Sequence, residues 1–113
     1  MKLPTVSTHI LDTARGRPAE GVPVTFDVWD DGEWQRVGKA ETGPDGRVTT
    51  LPPAGAAGPV RGRLVFAVRE YLVRTHGAAF FGEVTVVFEG EPDEHYHVPL
   101  LLSPFGYSTY RGS

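Results

Sequence analysis

Val22-Pro23-Val24-Thr25-Phe26-Asp27-Val28-Trp29 sets Val22, Val24, Phe26 and Val28 on one side of an extended chain and Pro23, Thr25, Asp27 and Trp29 on the other. A period of two with β-branched and aromatic residues on one side is the pattern of a half-buried strand. The segment runs into Asp30-Asp31-Gly32-Glu33, a hairpin turn, and then into a second strand from Trp34 to Ala40. Upstream, Val6 to Asp12 reads as the first strand. Downstream, Gly43-Pro44-Asp45-Gly46 is another tight turn, which delivers Arg47-Val48-Thr49-Thr50 as a short strand. Arg63 to Val68 and Val84 to Glu89 are further strands, and Glu91-Pro92-Asp93-Glu94 turns the chain into a final pair around Ser103-Pro104. One helix is expected, within Arg69 to Ala79, with Tyr71, Leu72, Thr75 and Ala79 facing inward. Pro52 to Gly58 is Pro, Ala and Gly almost throughout and reads as a loop. Short β-rich runs separated by 14 Gly and 10 Pro make the fold class all-β: a two-sheet β-sandwich of seven to eight strands with one short helix.

A chain of 113 residues predicts a single domain, residues 1–113, with one core. It contains no cysteine, which excludes disulfides, thiolate metal sites and cysteine nucleophiles. The net charge is −3, with both signs scattered, so no basic block is present to neutralise the phosphates of a nucleic acid. The first residues, Met1-Lys2-Leu3-Pro4-Thr5, lack an apolar signal region, and no segment is apolar for long enough to span a bilayer. The expected location is the cytoplasm.

The four histidines are the first candidates for proton chemistry near neutral pH. Alternation puts Ser7, His9 and Leu11 on one face of the first strand and Thr8, Ile10 and Asp12 on the other; His95 and His97 share a face by the same rule. His76 reads as a satisfied structural histidine, and so, less strongly, does His95 beside an acidic turn. Three strand histidines invite a zinc reading, but no Cys or carboxylate completes the set, so a metal-free site is expected. Arg47, directly after the Asp45-Gly46 turn, reads either as a solvated surface side chain or as a fixed guanidinium for a planar polar ligand. The chain closes on Tyr110-Arg111-Gly112-Ser113, where a phenol, a guanidinium and a hydroxyl follow an aromatic and β-branched run. There is no nucleophile elbow, P-loop or dinucleotide fingerprint.

Three segments carry a resemblance that runs nearly end to end: Ser7-Thr8-His9-Ile10-Leu11-Asp12-Thr13-Ala14-Arg15-Gly16-Arg17-Pro18-Ala19, Thr42-Gly43-Pro44-Asp45-Gly46-Arg47, and His95 through Tyr110-Arg111-Gly112-Ser113. On these the chain resembles the transthyretin-like 5-hydroxyisourate hydrolases. The terminal tetrapeptide, with the matching His and Arg, separates that family from transthyretin, the hormone carrier of the same fold. The resemblance implies a transthyretin-like sandwich assembled as a homotetramer, a dimer of dimers whose sites line a central channel. It implies hydrolytic opening of 5-hydroxyisourate, the product of urate oxidation, without a cofactor. The family's catalytic set maps onto His9, Arg47, His97 and Ser113, with Tyr110, Arg111 and Gly112 binding substrate. These residue types suit the hydrolysis of a cyclic amide. Water needs a base to become a nucleophile, and His9 or His97 can serve. The carbonyl oxygen that turns negative needs a fixed cation or donor, and Arg47 can either supply it or hold the urate-like ring through its carbonyls. The apolar 51–59 loop and the helix segment depart from what is expected of the family.

Overall fold

The computed structural model describes residues 5–51, 60–91 and 94–112. The loop expectation for Pro52 to Gly58, the centre of the turn at Pro92-Asp93, and Ser113 lie outside these residues. The described chain forms nine strands and one helix: β1 (Thr5–Asp12), β2 (Arg17–Pro18), β3 (Pro23–Asp30), β4 (Glu33–Glu41), β5 (Arg47–Leu51), β6 (Val60–Phe66), α1 (Arg69–His76), β7 (Val84–Gly90), β8 (His95–Ser103) and β9 (Gly106–Thr109). The excess over the expected seven to eight comes from two-residue β2, which pairs with the end of β1 and carries no alternation of its own to read.

Two sheets face each other. One runs β4-β3-β6-β7 and is antiparallel throughout. The other runs β2-β1-β8-β9, with β5 pairing β1 beside β2. Its centre is a parallel pair, β1 with β8, in the register Ser7↔His97 and His9↔Pro99. Between the sheets lie Val6, Ile10, Val24, Phe26, Leu64, Phe66, Leu100 and Leu102, all essentially without solvent contact. Each such side chain contributes about 1.5–3 kcal/mol of transfer free energy, so this layer is the main source of stability.

The β3–β4 hairpin turns as the sequence expects: Asp31 and Gly32 both have positive φ (49° and 81°), the requirement of the mirror-image turn that matches strand twist. The alternation of β3 also holds, but Asp27 is not solvated. It is 1% exposed because Arg36 and Arg63, its partners on both neighbouring strands, close over it at 3.2 and 2.7 Å.

Two sequence expectations are corrected. The strand expected to reach Val68 ends at Phe66, because Val68 turns into αR backbone as the N-cap of α1. The helix stops at His76, short of Ala79. Gly77 takes the left-handed conformation (φ 76°) and returns its N–H to the Val73 carbonyl, which closes the last turn. Tyr71 and Leu72 are buried as expected, whereas Thr75 and Ala79 are half-buried.

Candidate active site

The outer face of the β1–β8 sheet gathers the candidate chemistry. On β1, Val6, Thr8, Ile10 and Asp12 enter the core, which turns Ser7, His9 and Leu11 outward. On β8, Tyr96, Val98, Leu100 and Leu102 are buried, which turns His95, His97 and Leu101 outward. Arg47 lies directly across from His9 in the β1–β5 pairing, so its side chain shares this face.

The turn before Arg47 is built to place it. Thr42, 3% exposed, donates from Oγ1 to the Ala19 carbonyl at 2.7 Å and accepts the Val22 amide at 2.9 Å. Asp45 Oδ1 accepts the Arg47 amide at 3.0 Å. Gly46 has φ 75°, and a Cβ there would sit 2.6 Å from the Ile10 carbonyl oxygen, so only glycine lets β5 approach β1. The Arg47 side chain itself is exposed and has no carboxylate partner among the described residues. It leaves a positive charge available beside two imidazoles.

His97 is half-buried and tightly held. Its carbonyl accepts the Gly112 amide at 2.7 Å, and the His97↔Gly112 bridge continues the Leu100↔Thr109 register of β8 and β9. A Cβ at Gly112 would meet His97 Cδ2 at 2.6 Å, so glycine is needed for the imidazole to lie against the terminal segment. Burial, then the positive Arg47, then His9 and His95, push the His97 imidazole below its ordinary value. The neutral ring, a base, is the favoured form.

Two residues that sequence reasoning undervalued, Ser7 and His95, lie in the same cluster. Ser7 Oγ stands 2.8 Å from His95 Nε2 and 2.9 Å from His97 Nδ1, and Thr5 Oγ1 stands 2.6 Å from His95 Nδ1. The shared faces of Ser7 with His9 and of His95 with His97 were readable. The parallel pairing that brings those faces together was not.

The remaining expected residues are placed as follows. Tyr110 is 57% exposed just beyond β9. Arg111 turns to the opposite side of the sheet from His97, its guanidinium 4.9 Å from the ring centre of the buried Tyr96. His76 is a hydrogen-bonded structural histidine: its Nε2 donates to Asp12 Oδ2 at 2.7 Å. The same carboxylate accepts the Tyr71 hydroxyl at 2.7 Å and, through Oδ1, the amides of Ala14 and Arg15.

Residues 6–112 match the model of the HIUase/Transthyretin family. The chain belongs to this family. It is 44% identical over 109 residues to a 5-hydroxyisourate hydrolase of Salmonella dublin, across 96% of this chain and 80% of that one. It is 39% identical over 110 residues to a probable 5-hydroxyisourate hydrolase of Caenorhabditis elegans, across 96% of this chain and 82% of that one. Among solved structures it resembles the 5-hydroxyisourate hydrolase of Klebsiella pneumoniae, with a TM-score of 0.80 and 34% identity over 100% of this chain and 96% of that one. It also resembles sea bream transthyretin in complex with thyroxine, with a TM-score of 0.85 and 28% identity over 95% of this chain and 93% of that one. The fold is therefore transthyretin-like. With named hydrolases as its relatives in both sequence and structure, the chain is an enzyme of the hydrolase class.

Proposed function

We propose that this chain hydrolyses 5-hydroxyisourate to 2-oxo-4-hydroxy-4-carboxy-5-ureidoimidazoline in urate catabolism, by histidine-assisted attack of water on the cyclic amide. The observation that carries the reading is the grouping of His9, Arg47 and His97 on one open sheet face in a chain 44% identical to a hydrolase of that name. A half-buried imidazole kept neutral by burial and a neighbouring cation is suited to take a proton from water, so His97 is assigned as the base. His9, between Arg47 and Pro99 in the sheet, is assigned to protonate the leaving nitrogen. Arg47 meets the developing oxyanion, a role in which one donor is worth about 10²–10³ in rate. Tyr110, Gly112 and Ser113, the last outside the described residues, complete the proposed site around the substrate, whereas the substrate-binding role expected of Arg111 is not kept, because its guanidinium stacks on Tyr96 on the other side of the sheet. No cofactor enters this chemistry. The working form is proposed to be a cytoplasmic homotetramer, a dimer of dimers with the sites between dimers.

The test generates 5-hydroxyisourate in a cuvette with urate oxidase and follows the decay of its ultraviolet band. Decay that accelerates in proportion to added protein supports the reading. Decay at the spontaneous rate, from folded protein, overturns it and leaves a small-molecule carrier as the successor.

A further inference from the structure

Four outward polar side chains of β1 and β8 form one continuous hydrogen-bonded line. It runs Thr5 Oγ1, His95 Nδ1, His95 Nε2, Ser7 Oγ, His97 Nδ1, with steps of 2.6, 2.8 and 2.9 Å. The parallel register makes this possible, because Thr5 stands beside His95 and Ser7 beside His97. In a parallel pair, outward residues two apart on one strand face outward residues two apart on the next. At one end of the line, His97 Nε2 has no hydrogen-bond partner among the described residues and is the atom left to meet substrate. The other end, Thr5 with His95, is open to solvent.

Resting on the hydrolase reading above, we propose that Thr5, His95 and Ser7 form a proton relay behind His97, in which His95 and Ser7 are positioning residues for the reaction. Two arrangements of the line run every donor in the same direction, with each hydroxyl and each neutral imidazole supplying its one hydrogen. In the first, His97 Nδ1–H donates to Ser7 Oγ, Ser7 donates to His95 Nε2, and His95 Nδ1–H donates to Thr5 Oγ1. His97 Nε2 is then a bare lone pair, a base. In the second, every donor is reversed, and His97 Nε2 carries the hydrogen, an acid.

The conversion balances atom by atom. When water attacks, its proton goes to His97 Nε2. The Nδ1 proton passes to Ser7 Oγ, the Ser7 proton to His95 Nε2, the His95 Nδ1 proton to Thr5 Oγ1, and the Thr5 proton to solvent. Every group gains one proton and loses one, and the net change is one proton moved from the attacking water to bulk. His97 never has to remain an imidazolium. That matters here because the groups facing it are Arg47 from β5, His9 from β1 and His95 from its own strand, and together with burial these disfavour its positive charge. When His97 Nε2 gives its proton to a water in the site, the line runs backwards, one proton enters from solvent at Thr5, and the base is restored.

The experiment compares the full-length protein with Ser7→Ala, Ser7→Thr, His95→Gln and a double variant carrying both Ser7→Ala and His95→Gln. Glutamine is chosen for His95 because its side-chain amide can bond Ser7 but cannot pass a proton on. Steady-state rates are expected to show kcat about tenfold lower in Ser7→Ala and His95→Gln, a fraction of the roughly 10²–10⁴-fold that a proton-transfer group contributes. KM should change less than about twofold, since neither side chain is assigned to substrate binding. The double variant should be no worse than the poorer single, because both break one line. Ser7→Thr, which keeps the hydroxyl, should recover most of the rate. Unchanged kcat in both single variants, or losses that multiply in the double, would overturn the relay. A second readout needs no substrate: imidazole nitrogen shifts should show the His97 tautomer and titration changing in His95→Gln. An identical His97 spectrum in that variant overturns the relay even if the enzyme proves to act on a different amide. If the unmodified chain fails to open 5-hydroxyisourate while the spectra couple, the substrate assignment falls and the hydrogen-bonded line stands.

Discussion

At the scale of single residues, the site depends on how closely the chain can approach itself. Gly112 is the clearest case. A methyl group there would press to 2.6 Å from His97 Cδ2, so the imidazole must shift. Gly112→Ala is expected to lose roughly 100-fold in kcat with little change in thermal midpoint, because displacing a reacting group by about 1 Å costs rate more than stability. A variant that keeps full activity would show that the His97 ring position is not critical. His97 also makes a prediction in pH. Its folded value lies below the ordinary 6.5, so the neutral base persists below that pH. The acidic limb of kcat/KM should therefore have its midpoint below 6.5, and a limb above it would contradict the assignment of His97 as base. The same shift has a consequence for stability. A lowered folded value means that the unfolded chain takes up the proton first, so acid favours unfolding through this group. That cost is absent well above the ordinary 6.5 and grows as pH falls through 6.5 toward the folded value.

At the scale of elements, Asp12 at the end of β1 holds three pieces of chain together. Burial works to raise its carboxyl, but the bonds from Tyr71 and His76 on α1 and from the Arg15 amide outweigh it and hold it below 3.8. Removing the charge leaves these donors facing a group that cannot satisfy them all. Asp12→Ala should cost about 3–5 kcal/mol, the usual cost of breaking a buried charged network, read as a lower urea midpoint. The sign in pH follows from the lowered value. The stabilisation is complete above the ordinary carboxylate value of 3.8 and is lost as pH falls through the folded value. A wild-type midpoint that does not fall with acidification, or falls equally in Asp12→Ala, would remove Asp12 from that role. The motif Asp12-Thr13-Ala14-Arg15-Gly16 is thus a structural joint, and His76 is part of it.

For the whole molecule, the single chain leaves β7 and β9 as unpaired edges among the described residues. Val87 on β7 is 54% exposed and Phe80, Phe105 and Tyr107 are 72, 70 and 42% exposed. Unpaired edges flanked by exposed apolar side chains are what association covers. Sedimentation equilibrium should give four times the 12.3 kDa chain mass. If sites lie between dimers, specific activity should fall on dilution as the tetramer dissociates. A monomer of full activity at all concentrations would overturn the shared-site assembly.

Local physics made much of this legible in the sequence. The period-two alternation of Val22 to Trp29 reports burial directly, so β3 and its hairpin could be read from residue order, as could the sharing of one face by Ser7 with His9 and by His95 with His97. Arg47 after its glycine turn was readable as a candidate, because turn chemistry is local. What only the tertiary structure decided is which strand lies beside which. Ser7 and His97 are 90 residues apart, and nothing in either neighbourhood says that β1 and β8 pair in parallel and in that register. Nor does alternation alone show that Arg111 would stack on Tyr96, away from the histidines, or that Asp27 would be buried under two arginines. Alternation along a strand is a property of the backbone. Pairing between distant strands is chosen by the free energy of the whole core, which no short stretch of sequence contains.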